Sequence, residues 1–198
     1  MKNVGSVVGL YPTPDTVVGT VQNGRINWMN VAHVGVWGMD CMMLSIGKPH
    51  YTAKALREGA NLSVNLVDEA MLARADYAGI FSGKTVDKSD VFPVFYGQLP
   101  DVPLIENAPV AMECVITEIH ETNTHLNCIV HPVNTYVRED VLSENGKIDF
   151  EKIHPILFEM QQTRYLRSGD AVGRCWNIGK SLNSGGETVE DLKARIKK

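Results

Sequence analysis

The pattern of apolar and polar positions predicts strands through most of the first half of the chain. Residues 16–21 are mostly β-branched, and Gln22-Asn23-Gly24-Arg25 follows; Asn-Gly is a strong hairpin signal because both residues tolerate positive φ. The returning strand is predicted over 26–36. A period of two puts Ile26, Trp28, Asn30, Ala32, Val34 and Val36 on one face, with Asn27, Met29, Val31, His33 and Gly35 on the other. Both faces are largely apolar, as in a barrel wall covered on each side. A third strand fits 41–46. A short helix fits 51–57, where Ala53, Ala55 and Leu56 make an apolar stripe and Gly59 stops it. Residues 61–66 read as another strand. Asp68 is a candidate N-cap for a helix through Met71, Leu72 and Ala75 that ends near Gly79.

Residues 92–109 hold Pro93, Pro100, Pro103 and Pro109 and read as a covering loop, not a sheet. Strands return over 110–120, 125–131 and 134–137, with turns at 121–124 and at Asn145-Gly146. Residues 181–187 look like a mobile linker. Thr188-Val189-Glu190-Asp191 resembles a capping box that opens a terminal helix over 189–196. Strands joined by hairpins outnumber helices, so the pattern favours a small closed antiparallel barrel with helices plugging its ends.

Length and charge narrow the function. A chain of 198 residues fits a single domain over 1–198, with a core over about 10–180 and a tail helix at 188–198. It can bury about 70% of its unfolded surface and needs neither disulfide nor metal to fold. No apolar run approaches the ~18 residues of a membrane helix, and the first residues lack the apolar core of a secretory signal. A cytoplasmic protein is therefore expected. A net charge of −4 argues against duplex nucleic acid, which calls for a broad basic face. Cys41, Cys114, Cys128 and Cys175 form no Cys-x-x-Cys pair and read as buried or free thiols. Cys41 is more readily a small hydrophobe than a redox group.

Several frameworks for catalysis are missing: no Walker loop, no Gly-x-Gly-x-x-Gly, no Gly-x-Ser-x-Gly and no His-Glu-x-x-His. What remains is a set of small polar and cationic residues at strand and helix ends. Ser45 ends the third strand, Tyr51-Thr52 opens the first short helix, and Ser82-Gly83-Lys84 and Asp87-Lys88 follow the second. Free N–H groups, hydroxyls and ammonium groups of this kind suit a phosphate monoester. Taken singly, each also has a plain structural use: Thr52 as a helix cap, Lys88 as a solvated charge, Ser82-Gly83 as a turn. His125 and His131 share a strand face but lie about 20 Å apart at ~3.3 Å per residue, too far to share an ion. Cys128 points the other way, and no metal site is expected.

The order and spacing of several short motifs resemble the flavin reductase-like FMN-binding split-barrel family, in its flavoredoxin branch. The pieces are Tyr11-Pro12-Thr13-Pro14, Val18-Gly19-Thr20, Asn27-x-Met29-x-Val31-Ala32, Leu44-Ser45-Ile46, Tyr51-Thr52 and Asn65. They continue with Ala75-Asp76-Tyr77-x-Gly79-x-x-Ser82-Gly83-x-x-x-Asp87-Lys88 and, more loosely, to about residue 180. The resemblance implies a mainly β fold, an antiparallel split β-barrel with short capping helices, that binds FMN as a homodimer. It implies Asn27, Met29, Asn30 and Val31 along the ring and ribityl chain, Ser45 and Thr52 near the ribityl-phosphate, and Lys88 as the phosphate's cation. His33, Tyr51, Asn65, Ser82 and Gly83 complete the implied cofactor set, and His125 is the implied catalytic residue, near the flavin where the second substrate approaches. The implied activity is a flavin oxidoreductase that passes electrons between NAD(P)H, or a small redox protein, and flavin. The alternative is an FMN-binding electron carrier or flavin store without fast turnover. Departures from the family pattern are His33 in place of a frequent tryptophan, Ala78 in place of a frequent cysteine, and Ser89-Asp90 after Lys88. Val130-His131-Pro132 also departs from the usual sequence there.

Overall fold

A computed structural model describes residues 1–180 and 188–196, and the linker expected at 181–187 lies outside them. Strands β1 (Thr13–Pro14), β2 (Thr16–Gln22) and β3 (Arg25–Val31) open the chain. The β2–β3 turn is the one the sequence announces, with Asn23 at φ 52° and Gly24 at φ 74°. The strand expected over 26–36 is broken. After Ala32-His33 the chain resumes as β4 (Val34–Val36), which pairs with β5 (Met42–Gly47) instead of β2. The short helix expected over 51–57 is a 3₁₀ helix confined to Tyr51–Ala55. Next come β6 (Asn61–Leu66) and α1 (Leu72–Ile80). Asp68 does not cap α1 directly; its Oδ1 accepts from Met71 N at 3.1 Å, one turn earlier.

The proline-rich stretch is a hairpin and not a plain loop: β7 (Val94–Tyr96) pairs with β8 (Pro103–Ile105). Proline is tolerated because β8 is one strand of a two-stranded ribbon and Pro103 is its first residue. β9 (Val110–Glu121) pairs with β10 (His125–Val137), which is one strand where two were expected; register shifts near Val130 and Pro132 absorb the proline. A 3₁₀ turn at Glu139–Val141 and the short α2 (Phe150–Ile153) precede β11 (Ile156–Glu159) and β12 (Arg164–Arg167), none of which the sequence pattern disclosed.

Seven strands make one antiparallel sheet in the order β3-β2-β6-β9-β10-β5-β4. Its two edges, β3 and β4, are consecutive in the chain with only Ala32 and His33 between them. The sheet must therefore curl to bring its edges together, and Ser45 N donates to His33 O at 2.9 Å, extending the β4–β5 ladder back to the join. The edges share no ladder, which makes the barrel split. Alternation along the strands divides the apolar residues between two cores. Val18, Leu44, Ile46, Leu62, Val64, Cys114, Ile116, Cys128 and Val130 fill the barrel. Val17, Trp28 and Ala111 face outward and are covered by Ala75 and Ala78 of α1, Phe92, Leu104 and Ile105. Burial raises the pKa of the Cys114 and Cys128 thiols, so both behave as small apolar groups.

A three-stranded sheet, β1-β11-β12, adds a second wall. All of this lies in a first compact unit, Met1–Ser168; Gly169–Lys198 forms a second. The second carries α3 (Val189–Ile196), opened by the expected reciprocal cap: Thr188 Oγ1 accepts from Asp191 N at 3.2 Å, and Asp191 Oδ2 accepts from Thr188 N at 2.8 Å. No helix among the described residues is long and apolar enough to cross a membrane.

Candidate functional site

As an edge strand, β3 leaves one row of backbone N–H and C=O groups without a sheet partner. Its side chains also open onto a groove made of three joined hollows. One part is a cleft of about 350 Å³ that includes Met29, Asn30, Val31, His33, Ser45 and His125 in its walls. A neck of about 120 Å³ shares Met29, His50, Gly79 and Ile80 with the cleft and adds Asn27, Tyr51, Thr52, Ser82, Gly83 and Lys88. Beyond it an outer hollow of about 370 Å³ shares Asn27, Tyr51, Gly83 and Lys88 and adds Arg25 and Lys84.

The neck is built around an absent side chain. A Cβ on Gly83 would run into the Asn27 amide oxygen and come within 2.8 Å of the Tyr51 ring. Asn27 Nδ2 donates to Thr52 Oγ1 at 2.8 Å, which leaves the Thr52 hydroxyl proton free to donate elsewhere. Asn27 Oδ1 is buried with no hydrogen-bond partner. Lys88 is not the solvated charge of the plain reading, since it is only 4% exposed. Its Nζ donates to Ala78 O at 3.0 Å and Phe81 O at 2.9 Å, carbonyls at the C-terminal end of α1. Burial lowers its pKa to about 8. Two of its three N–H donors are spent on α1, and the third is available to the neck.

In the cleft, His125 Nδ1 meets the Thr124 hydroxyl at 2.8 Å, and His33 Nε2 meets the Tyr11 hydroxyl at 2.9 Å. Ser45 Oγ donates to Asn127 Oδ1 at 2.7 Å, across the β5–β10 pair. The second wall contributes Tyr165, whose hydroxyl donates to Asp76 Oδ1 at 2.8 Å and accepts from Asn30 Nδ2 at 3.2 Å. Burial, the Asp76 bond and the nearby Asp15 and Asp76 charges raise the Tyr165 pKa, so it stays a neutral phenol.

Comparison with known proteins assigns this geometry to a family. Residues 8–166 match the family model of the flavin reductase like domain, most of the chain. The chain belongs to the flavin reductase-like family. Among solved structures it is similar to the flavoredoxin from Methanosarcina acetivorans, 33% identical with a TM-score of 0.86, covering 92% of this chain and 98% of that one. It is also similar to the flavoredoxin of Desulfovibrio vulgaris, 28% identical with a TM-score of 0.83, covering 90% and 99%. An uncharacterized protein of Aeropyrum pernix is 23% identical over 158 residues; the match spans 75% of this chain and 58% of that protein's length. Family membership places the chain in a flavin-binding family.

Within this flavin reductase-like fold the groove gathers eleven of the twelve implied cofactor residues, together with His125. Ser45 stands in the cleft beside the His125 region and not in the neck with Thr52 and Lys88. Asn65 is outside the groove. It is fully buried on β6, where Nδ2 donates to Val17 O and Ser63 Oγ and Oδ1 accepts from Ile105 N, so its amide ties the cover hairpin to the sheet. Sequence reasoning did not single out His50, Asp76 or Tyr165 as site residues. Tyr165 comes from β12, an element the hydropathy pattern did not reveal, so only the family's loose match near residue 165 hinted at it.

Proposed function

We propose that the groove holds FMN and that the protein is an FMN-dependent oxidoreductase taking electrons from NAD(P)H or a small redox protein. The observation that carries this is the neck. There a buried amide oxygen lacking a partner, a hydroxyl with its proton to spare and an ammonium with one free donor converge beside a glycine whose Cβ would collide with Asn27 and Tyr51. A ribityl hydroxyl would supply the donor that Asn27 Oδ1 lacks, and a phosphate would supply the acceptor that Thr52 and Lys88 can serve. Thr52, Ser82, Gly83 and Lys88 would hold the phosphate end, with Arg25 and Lys84 beyond. Asn27, Met29, Asn30 and Val31 would flank the ribityl chain and ring, with His33, Ser45 and His125 around the open cleft. When bound, FMN supplies the hydride and electron chemistry, and the protein's part is to bind, orient and screen it. His125, its Nδ1 engaged by Thr124, keeps Nε2 to orient an incoming donor. The working form in this reading is a cytoplasmic homodimer.

Anaerobic mixing with NADH or NADPH, followed at the flavin absorbance, tests the activity. Rapid bleaching supports the oxidoreductase. A yellow protein that neither nucleotide bleaches identifies a carrier, and a protein that cannot take up FMN contradicts both readings.

A further inference from the structure

Beneath the cleft lies a carboxyl group that nothing above uses. Asp15, between β1 and β2, is fully buried, and neither of its carboxyl oxygens has a hydrogen-bond partner. Its backbone is held on both sides: Asp15 N donates to Ile156 O at 2.9 Å and Asp15 O accepts from Val67 N at 3.2 Å. The ionisable groups that face it are Asp76 from α1 and Tyr165 from β12, and no cation is among them. The polar side chain beside it is Asn30, whose own Oδ1 is also buried without a partner while its Nδ2 donates to Tyr165. The two carboxyl oxygens thus stand in a dry region where the nearby amide donor, Asn30 Nδ2, is engaged by Tyr165. An ionised carboxylate there is uncompensated while that amide stays on Tyr165, and the buried site favours the neutral acid.

We propose that Asp15 is a neutral carboxylic acid in the resting protein and acts as a positioning residue, making no claim on the Asn30 amide nitrogen, which stays on Tyr165 and fixes the face that Asn30 turns to a flavin. The chain of bonds then runs from the Asn30 nitrogen to the Tyr165 oxygen and from the Tyr165 hydroxyl to the Asp76 carboxylate. Loss of the Asp15 proton to solvent reverses the demand. The new carboxylate needs a donor, the Asn30 amide turns its nitrogen towards it, the bond to Tyr165 is given up, and a second negative charge joins Asp76 under the cleft. The positive shift of the Asp15 pKa to about 7, caused first by burial, opposed by Asn30 and assisted by Asp76, puts that change within a workable pH range.

The role toward flavin rests on the FMN reading above, while the protonation state does not, and the test separates them. Flavin-free protein labelled with ¹³C at aspartate is titrated by NMR, with Asp15→Asn to identify the Asp15 signal. One aspartate resonance, absent in the variant, is expected to titrate near 7; titration of every aspartate signal in the ordinary carboxylate range overturns the proposal. FMN affinity is then measured from pH 6 to 8.5 in both proteins. The three cleft histidines are the same in both, so the difference between them isolates Asp15. Affinity of the wild type is expected to fall about tenfold relative to Asp15→Asn as pH rises, the size of one pKa unit. Equal pH slopes overturn the positioning role. If neither protein binds FMN at any pH, the FMN reading falls and the positioning role with it, and the NMR titration still decides the acid. If the variant does not fold, the wild-type titration alone reads the result, since a lone high-pH aspartate supports the acid and its absence overturns it.

Discussion

Lys88 shows how a single side chain serves the fold and the ligand together. Its ammonium caps the carbonyl end of α1 and still reaches the neck. Lys88→Ala is expected to weaken FMN binding by about 1.5–3 kcal/mol, the range for hydrogen bonds to charged groups. Urea unfolding of the flavin-free variant reads the lost cap separately, and unchanged FMN affinity would remove Lys88 from the site. Asp15 gives a prediction in pH. Its carboxyl rises from 3.8 to about 7 on folding, so the folded state binds the proton more tightly than the unfolded chain. The stability it contributes is present below pH ~4 and lost by pH ~7, by up to about 4 kcal/mol relative to Asp15→Asn. Parallel stability profiles for the two proteins would contradict this. Little of this was legible in the chain. A lysine after Asp87 reads equally as solvated or as ligand, and its burial against the end of α1 shows only in the fold. Asn65 fails for the converse reason: its amide is consumed by backbone groups brought in from other parts of the sequence.

At the scale of elements, local signals were legible where a turn or cap is written in adjacent residues. The Asn23-Gly24 hairpin, β6 and the Thr188 capping box need no distant partner to be recognised. The hairpin within 92–109, β11 and β12 were not legible, because proline content hides the first and pairing with Thr13–Pro14 defines the second wall. The cover hairpin is held by Glu113, fully buried on β9. Its carboxylate accepts from Leu99 N at 2.9 Å, Asn134 Nδ2 at 2.7 Å, Gln98 N at 3.2 Å and the Tyr136 hydroxyl at 3.2 Å. Burial opposes its charge, but these bonds win and hold its pKa below the usual value. Glu113→Ala leaves four donors without an acceptor and is expected to cost about 2–3 kcal/mol in urea unfolding; a loss below 0.5 kcal/mol would mean that water replaces the carboxylate. Trp28, fully buried with its ring 5.5 Å from that of Phe92, joins β3 to the cover. Trp28→Ala is expected to cost about 3–5 kcal/mol.

For the molecule as a whole, the barrel was legible as alternating strands, but its closure was not. Breaking one long apolar run at Ala32-His33 makes β3 and β4 the two edges of a single sheet, and that break creates the groove. The site was legible mainly through the family's motifs, since residues from β3, the Tyr51 turn, α1 and the loop after it meet only once the sheet has curled. The most direct test of the account is a fluorescence titration of FMN into flavin-free protein. The account predicts saturable quenching at one FMN per chain, abolished by Gly83→Val, whose side chain fills the neck, with the circular dichroism of the variant unchanged. A folded wild-type protein that leaves FMN fluorescence untouched, or a Gly83→Val variant that quenches it equally well, would contradict it.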